Sequence, residues 1–339
     1  MQETEPVKVA VVGAGTFGSG LAHHLAQAGH PVTLWAYEPE VAEAINREHR
    51  NPLFLTEIDL NPSIRASSEL PEVLPGATMV LLVMPSHVFR PVLIQAAAHL
   101  DPGAIVVACS KGIEQETCFT MGEVAEDVLP KDFHRPLCCL SGPSFAREVA
   151  MAMPTAVTVA SRSPKAASWV QHAFATPSFR VYTSPDMVGV ELGGAIKNPL
   201  AIAAGMVAGL KLGTNTIAAL ITRGLAEMTR LALARGAQPA TMAGLAGLGD
   251  LVLTCNGPLS RNRTVGERLA RGESIEQIKH SMKMIAEGVH NTKTVLQLAA
   301  QLDVEMPITE AVYRVIYEGQ NPAVSVKELM TRGLKSEMD

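Results

Sequence analysis

A glycine-rich turn directly after a buried strand constrains the fold of this chain more than any other feature. Residues 7–12 form a nearly continuous β-branched run, which is typical of a parallel strand covered on both faces. The next six residues read G-A-G-T-F-G, and the spacing of Leu21, Leu25 and Ala28 then predicts a helix. A strand, a glycine turn and a helix in this order predict a dinucleotide-binding unit.

Each glycine of this turn has a separate physical role. Gly13 permits the tight turn, Gly15 lets the backbone approach a pyrophosphate, and Gly18 lets the helix pack on the strand. The N-terminus of the helix adds N–H donors and a partial positive charge for the phosphates. The alternative is an ordinary strand–turn–helix connection without a nucleotide.

The end of the second predicted strand, residues 32–35, bears on which dinucleotide would bind. Glu38 lies about twenty residues beyond Gly18, where an acidic side chain would meet the adenosine ribose. Glu38 therefore favours NAD, because a 2′-phosphate would prefer an arginine at this place. Glu38 and Pro39 can equally form the start of the next helix, with the proline at its first position. The preference between NAD and NADP stays open at this point.

Strand-like and helix-like stretches alternate through the first half of the chain. Further strands are predicted at residues 77–84, 104–109, 137–140, 155–160 and 179–183, and a helix at 164–175. The prolines and turn asparagines of residues 51–68 favour an irregular excursion from the sheet. From residue 188 onward the spacing is helical, with the clearest stretches at residues 214–235, 264–271, 285–301 and 309–318. We therefore predict an α/β chain, with an N-terminal Rossmann-like doubly wound sheet in residues 1–188 followed by an all-α domain in residues 189–339.

Composition excludes several classes of protein. The 339 residues are 47% hydrophobic and 18% charged, which fits two folded domains. A net charge of -5 without a run of lysine and arginine gives no sign of nucleic-acid binding. The longest apolar run, residues 199–210, is too short to span a bilayer, and the acidic start is no signal peptide. Five cysteines without a C-x-x-C pair predict reduced packing residues in a cytoplasmic protein, and no histidine and cysteine spacing supports a metal site.

One lysine lies within the apolar, glycine-containing helical pattern of residues 191–200. Lys197 must either pair its charge or lose some of it, because desolvation disfavours the ammonium form. A lysine in this state can transfer protons near neutral pH. The alternative is a lysine whose stem covers apolar surface while its head reaches water.

Two segments that follow predicted strands provide further candidates for ligand binding. Lys111 comes directly after a strand, at the carboxyl edge where parallel sheets bind ligands, although a solvated loop lysine is the alternative. The small residues of 141–146 would let backbone amides face a ligand.

One predicted loop in the helical half, residues 247–264, concentrates groups that bind anions. Ser260, Arg261 and Asn262 are followed by a second arginine and a threonine, a set that suits a phosphate monoester. Ser260 can equally be a plain helix N-cap, with the arginines solvated. Asp250 lies in a G-L-G-D-L sequence, where it either caps a turn, accepts a hydrogen bond from a substrate hydroxyl or orients Lys197.

Together these motifs resemble the bacterial type of NAD(P)-dependent glycerol-3-phosphate dehydrogenase, from residue 7 to about residue 333 and in the same order. The motifs are G-A-G-T-F-G at 13–18, S-K-G-I-E at 110–114, S-G-P-S-F-A-R-E at 141–148, E-L-G-G-A-I-K-N at 191–198, G-L-G-D-L at 247–251, S-R-N-R at 260–263 and E-G at 287–288. Many dehydrogenases share the first motif. The lysine helix together with the S-R-N-R segment is far more specific.

The resemblance implies interconversion of sn-glycerol 3-phosphate and dihydroxyacetone phosphate by hydride transfer with NAD or NADP, supplying phospholipid synthesis. It implies that Lys197 is the proton acceptor in oxidation and the proton donor in reduction. The cofactor contacts expected from the glycine turn and the resemblance are Gly13, Gly15, Thr16, Phe17, Gly18, Tyr37, Lys111, Ala146, Arg261, Ile285 and Glu287. The implied substrate contacts are Lys111, Gly142, Ser144, Lys197, Asp250, Ser260, Arg261 and Asn262. Many members have an arginine or histidine where this chain has Ala36 and Tyr37, which argues against strong NADP selectivity.

Two other functions compete with this interpretation. A two-domain dehydrogenase of β-hydroxy acids, such as the 6-phosphogluconate or 3-hydroxyacyl type, also joins a nucleotide fold to a helical domain. A non-catalytic dinucleotide sensor would use the same glycine turn without turnover. The expected partner is a small phosphorylated substrate, with no nucleic acid and no integral membrane segment, and a homodimer is left open.

Overall fold

A computed structural model describes residues 5–130, 136–282, 286–334 and 336–337 of this chain. Its first half contains one mostly parallel sheet whose strands lie in the order β3-β2-β1-β4-β5-β6-β7-β8. The strands are β1 Val9–Val12, β2 Val32–Trp35, β3 Arg65–Ser67, β4 Met79–Leu82, β5 Ile105–Ala108, β6 Cys138–Ser141, β7 Thr155–Ala160 and β8 Phe179–Ser184. Neighbours pair in parallel, except that β6 and β7 are antiparallel. The strand order changes direction between β1 and β4, which is where open α/β sheets bind ligands.

Helices cover both faces of this sheet, which explains why its central strands have no polar face. Val9 and Val11 pack in the same apolar cluster as Leu21 of the helix Thr16–Gln27, whereas Val12 packs on the other face with Phe89 of the helix Ser86–Ala97. The helices of this half are α1 Thr16–Gln27, α2 Pro39–Glu48, α3 Leu70–Val73, α4 Ser86–Ala97, α5 Met121–Val128, α6 Ala146–Ala150 and α7 Pro164–Phe174.

The second half is helical and is built around one long helix, Met187–Gly209, which is buried over most of its length. The helices are α8 Met187–Gly209, α9 Thr214–Ala234, α10 Pro239–Met242, α11 Asp250–Asn256, α12 Arg261–Ala270, α13 Ile275–Ser281, α14 Glu287–Gln301, α15 Pro307–Tyr317 and α16 Pro322–Met330, with a π-helix at Leu245–Gly249. Glycines allow the backbones of α8 and α12 to touch, because a Cβ atom at Gly205 or Gly266 would overlap a carbonyl oxygen of the other helix. The start of α12 is therefore fixed against α8.

The predicted fold class, a Rossmann-like doubly wound sheet followed by helices, is confirmed. Two local predictions were wrong. The predicted excursion at 51–68 contains the edge strand β3, and the predicted loop at 247–264 contains the end of the π-helix, α11 and the start of α12. The division into domains 1–188 and 189–339 stays a prediction, and its boundary falls within the first turn of α8.

The described ranges contain neither a membrane-spanning helix nor a cluster of metal ligands. No helix in them combines the length and the apolar character that a bilayer crossing requires. Within the same ranges, no group of three or more histidine, cysteine, aspartate or glutamate side chains is arranged to hold a metal ion.

Candidate active site

The glycine turn after β1 has the geometry that the sequence predicts. Gly13 has a φ of 116°, and a Cβ atom there would lie 3.0 Å from the carbonyl oxygen of Val83, just beyond β4. A Cβ atom at Gly18 would overlap the carbonyl oxygen of Gly13, so only glycine lets α1 pack this closely. A Cβ atom at Gly15 would meet nothing within 4 Å. The turn is therefore tight on its protein side and open where a pyrophosphate is expected.

Residues 51–54 brace this turn, a role that the sequence interpretation missed. The buried side chain of Asn51 donates hydrogen bonds to the carbonyl oxygen of Ala14, at 2.7 Å, and to Ser19 Oγ, at 2.9 Å. The Thr16 hydroxyl donates to the carbonyl oxygen of Phe54 at 2.9 Å. A segment far along the chain therefore holds the backbone of the turn in place.

The other predicted cofactor contacts of the first half lie at the same edge of the sheet. Ala146 opens α6 and packs against α1, where a Cβ atom at Gly20 would be 3.0 Å from the Ala146 carbonyl oxygen. The Phe17 ring lies beneath the ammonium group of Lys111, with 5.9 Å between Nζ and the ring centroid. Tyr37 is 77% exposed, immediately beyond β2. Ile285 lies outside the described residues.

A buried carboxylate joins the two predicted lysines. Asp250 Oδ1 accepts a hydrogen bond from Lys197 Nζ at 2.7 Å, and Asp250 Oδ2 accepts one from Lys111 Nζ at 2.7 Å. Lys197 is 6% exposed and Asp250 is 1% exposed, so the alternative of a lysine head reaching water does not hold. Among the alternatives for Asp250, this geometry favours the one that orients Lys197.

The electrostatics of this cluster alter the protonation of Lys197. Burial lowers the pKa of Lys197 to about 8, with the ammonium charge of Lys111 acting in the same direction and the charge of Asp250 opposing both. Burial alone would raise the pKa of Asp250, but the two ammonium groups hold it below its usual value. A carboxylate that stays ionised thus faces a lysine that titrates near neutral pH.

Thr254 completes the contacts of the lysine and was not among the predicted site residues. Its Oγ1 accepts a hydrogen bond from Lys197 Nζ at 2.7 Å and donates one to the Asp250 carbonyl oxygen at 2.7 Å. Asp250 and Thr254 are four residues apart on α11, so they share one helix face. The four-residue spacing could have indicated that Thr254 lies beside Asp250, but only once the segment is known to be a helix.

Glycines position the loops that surround the ammonium groups. Lys111 follows β5, and its Nζ also donates to the carbonyl oxygen of Gly142, at 3.0 Å, just beyond β6. Ser144 Oγ donates to the same carbonyl oxygen at 3.0 Å. A Cβ atom at Gly194 of α8 would lie 2.7 Å from Ser141 Oγ and 3.4 Å from Lys111 Cγ, so glycine lets the loops after β5 and β6 approach α8.

The S-R-N-R segment forms the start of α12 and contacts Asn198, the residue after Lys197. Ser260 is the N-cap of α12, and its Oγ accepts a hydrogen bond from the Arg263 backbone N–H at 3.2 Å, as the N-cap alternative predicts. Asn262 donates from Nδ2 to Asn198 Oδ1 at 2.9 Å, and its Oδ1 accepts from the Gly288 N–H at 3.0 Å. Asn262 therefore ties α8, α12 and the start of α14 together.

The two arginines of this segment differ in their surroundings. Arg263 forms an ion pair with Glu267 at 2.8 Å. Arg261 is open to solvent, while the protein atoms around it lower the pKa of its guanidinium by desolvation and the charge of Glu287 opposes that shift. Of the two, Arg261 is the arginine suited to an anionic ligand.

Glu287 connects the helical half to the sheet. It is the first residue of α14, and its carboxylate accepts hydrogen bonds from the Ser86 hydroxyl at 2.8 Å and the Ser86 backbone N–H at 3.3 Å. Ser86 is the first residue of α4 and follows β4, so the predicted far edge of the cofactor site adjoins the switch point of the sheet.

The structure therefore connects the glycine turn through Phe17 and Lys111 to a buried pair, Asp250 and Lys197. A glycine turn of this kind, connected to a buried lysine of lowered pKa on the first helix of a helical half, defines the class of nucleotide-dependent dehydrogenases with a Rossmann-like sheet.

Comparison with known proteins identifies the family within this class. Residues 8–167 match the model of the NAD-dependent glycerol-3-phosphate dehydrogenase N-terminus, and residues 186–327 match the model of its C-terminus. The chain is 53% identical to glycerol-3-phosphate dehydrogenase (NAD(P)+) of Citrifermentans bemidjiense, over 97% of this chain and 98% of the relative. It is 54% identical to the enzyme of the same name from Geobacter sulfurreducens, over 97% and 98% of the two chains.

A solved structure agrees with these relatives. The crystal structure of glycerol-3-phosphate dehydrogenase from Coxiella burnetii is 38% identical, with a TM-score of 0.92 over 96% of this chain and 99% of that one. The chain belongs to the NAD-dependent glycerol-3-phosphate dehydrogenase family. The family predicted from the motifs is thereby confirmed, and with it the oxidoreductase class and the use of NAD or NADP.

Proposed function

We propose that this chain interconverts sn-glycerol 3-phosphate and dihydroxyacetone phosphate, with Lys197 as the proton acceptor in oxidation and the proton donor in reduction. The observation that carries this proposal is the buried Lys197, paired with Asp250 at 2.7 Å and lowered in pKa to about 8. An amine with this pKa has both protonation states accessible near neutral pH. The product of the reductive direction would supply phospholipid synthesis.

The contacts of Lys197 explain how it would be aimed at the substrate. An ammonium group has three donors, and Asp250 Oδ1 and Thr254 Oγ1 accept two of them. The third donor would meet the oxygen on the middle carbon of the substrate. In oxidation the neutral amine takes the hydroxyl proton, and in reduction the ammonium group returns a proton to the carbonyl oxygen. Asp250 remains ionised and holds the amine in place.

Lys111 would act on both ligands from its position between Phe17 and Asp250. Its charge helps to lower the pKa of Lys197, which favours the neutral amine that oxidation requires. Gly142 and Ser144 would line the same side of the substrate, since the Gly142 carbonyl oxygen accepts hydrogen bonds from both Lys111 and Ser144.

The phosphate group of the substrate would bind at the start of α12. Arg261 offers guanidinium N–H groups, and Ser260 offers a hydroxyl that already caps the helix. Asn262 uses one of its two N–H groups on Asn198, which leaves the other for a phosphate oxygen. Fixing the phosphate here would hold the reacting carbon in a defined orientation, an effect of about 7–11 kcal/mol in well-oriented model reactions.

The residues of the glycine turn fit a nicotinamide dinucleotide. Gly15 faces open space, and α1 begins at Thr16 with its N–H groups directed toward that space. When bound, the cofactor supplies the hydride acceptor for oxidation and the hydride donor for reduction. We propose that Gly13, Gly18 and Ala146 shape the pyrophosphate site, while Phe17, Lys111, Arg261 and Glu287 contact the cofactor toward the helical half and Tyr37 contacts it beyond β2.

Two alanine substitutions in the glycine turn are expected to separate folding from cofactor binding. Gly15→Ala adds a methyl group where nothing lies within 4 Å, so its stability should stay within about 0.5 kcal/mol of wild type. Its dissociation constant for NADH should rise about tenfold or more, because the methyl group occupies the approach of the pyrophosphate. Gly18→Ala should instead lower the melting temperature, because its Cβ overlaps the Gly13 carbonyl oxygen. Thermal unfolding and NADH titration measure both, and equal destabilisation of the two variants would contradict these roles.

Arg261→Ala is expected to raise the KM for dihydroxyacetone phosphate about 10- to 100-fold, the factor that corresponds to the free energy of charge-assisted hydrogen bonds. The KM for NADH should change much less. Arg263→Ala is the matched control, because Arg263 is paired with Glu267, and it should leave the substrate KM near wild type. Steady-state kinetics with each ligand varied in turn provide the measurement. A larger effect from Arg263 would move the phosphate site to that side chain.

The activity itself is tested by NADH and NADPH consumption with dihydroxyacetone phosphate. Parallel assays with β-hydroxy acids and hydroxyacyl thioesters separate the related dehydrogenases, and a sensor would bind the dinucleotide without turnover. Turnover of a carboxylate or thioester but not of dihydroxyacetone phosphate would overturn the proposal.

We also propose that the chain divides into domains at residues 1–188 and 189–339, that it is located in the cytoplasm and that it forms a homodimer. The cytoplasmic location is supported by free and buried cysteines, as expected in a reducing compartment: Cys109, Cys118, Cys138, Cys139 and Cys255. Light scattering coupled to size-exclusion chromatography tests the homodimer, and a monomeric mass would exclude it.

A further inference from the structure

The loop that follows β6 contacts both ends of α11. A Cβ atom at Gly249, the residue before α11, would lie 3.6 Å from the Pro143 ring, which is ordinary contact. A Cβ atom at Gly257, the residue after α11, would lie 2.4 Å from Cε2 of Phe145. The Phe145 ring therefore lies directly against the Gly257 backbone, in space that a larger residue would take. One loop thus holds both ends of the helix that carries Asp250.

Phe145 connects the two halves of the chain. It is the N-cap residue of α6, and the next residue, Ala146, packs on α1 at Gly20. The backbone of Phe145 therefore belongs to the sheet half, while its ring contacts the helical half at Gly257. The ring is half-buried and lies outside the apolar clusters that form the core of the described residues. Its placement is therefore explained by the contact between the halves rather than by the core.

The turn beneath this ring leads directly to the proposed phosphate site. The Gly257 carbonyl oxygen accepts a hydrogen bond from the Ser260 N–H at 3.1 Å, and Ser260 is the N-cap of α12. Arg261 follows as the first residue of that helix. A shift of Gly257 would therefore move Ser260 and Arg261 together, whereas Lys197 is held by side chains of α11.

We propose that Phe145 is a positioning residue for the phosphate of the substrate, because its ring fixes the start of α12 relative to the loop after β6. The inference rests on the proposed reaction, and it adds a residue that determines how firmly the phosphorylated substrate is held. In this role the ring acts through Gly257 and Ser260. Without the ring, the donors at the start of α12 lose their support from the sheet half, and the phosphate loses part of its hydrogen bonding.

The affinity for dihydroxyacetone phosphate tests this role without turnover, because a complex with oxidised NAD holds two oxidised ligands and cannot react. Phe145→Ala should raise the dissociation constant for dihydroxyacetone phosphate in that complex about tenfold, as when one charge-assisted hydrogen bond is lost. The dissociation constant for NADH should stay within a fewfold of wild type. Phe145→Leu keeps an apolar side chain against Gly257 and should recover most of the affinity. An unchanged affinity in Phe145→Ala would refute the role.

A double-mutant cycle with Arg261 separates positioning from a general loss of structure. If the ring acts through Arg261, then Arg261→Ala should weaken dihydroxyacetone phosphate binding much less in Phe145→Ala than in wild type. Phe119→Ala is the control, because it removes another half-buried ring, which packs on the apolar cluster of α4 and α5. It should leave the affinity unchanged, whatever its effect on the melting temperature. An equal effect of Arg261→Ala with and without the Phe145 ring would overturn the proposal.

The outcome is separable from that of the proposed reaction. A protein that binds dihydroxyacetone phosphate less tightly in Phe145→Ala, but does not reduce it with NADH or NADPH, would contradict the reaction and support the role of Phe145. A protein that reduces dihydroxyacetone phosphate and binds it equally well with and without the Phe145 ring would support the reaction and overturn the inference.

Discussion

Lys197→Ala is expected to lower kcat by about 10²- to 10⁴-fold, the usual contribution of a positioned acid–base group, while NADH binding stays close to wild type. The amine is removed from the helical half, whereas the glycine turn lies across the sheet edge and keeps its own supports, Asn51 and Thr16. Asp250 retains Lys111 as a partner at 2.7 Å, so the buried carboxylate is not left uncompensated. We therefore expect the variant to fold.

The measurement combines single-turnover reduction of dihydroxyacetone phosphate with NADH titration and a melting curve. Lys165→Ala is the control, because it removes an exposed lysine of α7 from the sheet half and should leave all three quantities unchanged. Small primary amines should restore part of the lost rate if they enter the space left by the side chain. A kcat within a fewfold of wild type would exclude Lys197 from proton transfer.

The parts of the site that sequence could predict are those determined by neighbouring residues. The glycine turn depends on one strand and one helix that are adjacent in the chain, so its pattern is complete within residues 7–28. The apolar pattern of residues 191–200 likewise predicted that Lys197 either pairs its charge or loses some of it, and burial does lower its pKa. The side chains that contact its ammonium group, Asp250 and Thr254, lie on another helix.

Contacts between distant segments were not predictable in this way. Asn51 braces a turn 37 residues earlier in the chain, and an asparagine before a proline indicates only a turn. Thr254 contacts a lysine 57 residues away. Asn51 has no local pattern that distinguishes it from an ordinary polar residue, and the spacing of Thr254 from Asp250 is informative only once α11 is known to be a helix.

Asp250, a predicted site residue, lies in the G-L-G-D-L segment, whose local structure was predicted wrongly. Its glycines favoured a loop, because glycine destabilises an isolated helix by about 1 kcal/mol relative to alanine. In the structure these small residues serve packing instead. A Cβ atom at Gly193 of α8 would lie 2.5 Å from the Ala246 carbonyl oxygen, and one at Gly247 would overlap the Met242 carbonyl oxygen. Close backbone contact therefore overrides helix propensity and carries Asp250 to the start of α11.

Asp250→Asn is expected to lower the free energy of unfolding strongly, because the Asp250 carboxylate neutralises two ammonium groups. Asp250 is 1% exposed, and it binds Lys111 and Lys197 at 2.7 Å each. Replacing it with a neutral amide leaves buried positive charges without their partner, a change that costs about 3–5 kcal/mol in other buried ion pairs. Urea unfolding should show this loss of stability. Asp303→Asn is the control: Asp303 is exposed and has a positive φ that asparagine also tolerates, so its free energy of unfolding should stay near wild type.

The pH dependence of the same variant distinguishes electrostatic control from simple loss of structure. Oxidation needs neutral Lys197, so wild-type kcat/KM for glycerol 3-phosphate should rise with pH and level off above a midpoint of about 8. The charge of Asp250 raises the Lys197 pKa against burial and Lys111, so its removal lets that pKa fall further. The oxidation midpoint of Asp250→Asn should therefore move to lower pH, and reduction, which needs the ammonium form, should decline at lower pH than in wild type. An unchanged midpoint in both directions would mean that Lys197 is not the titrating group.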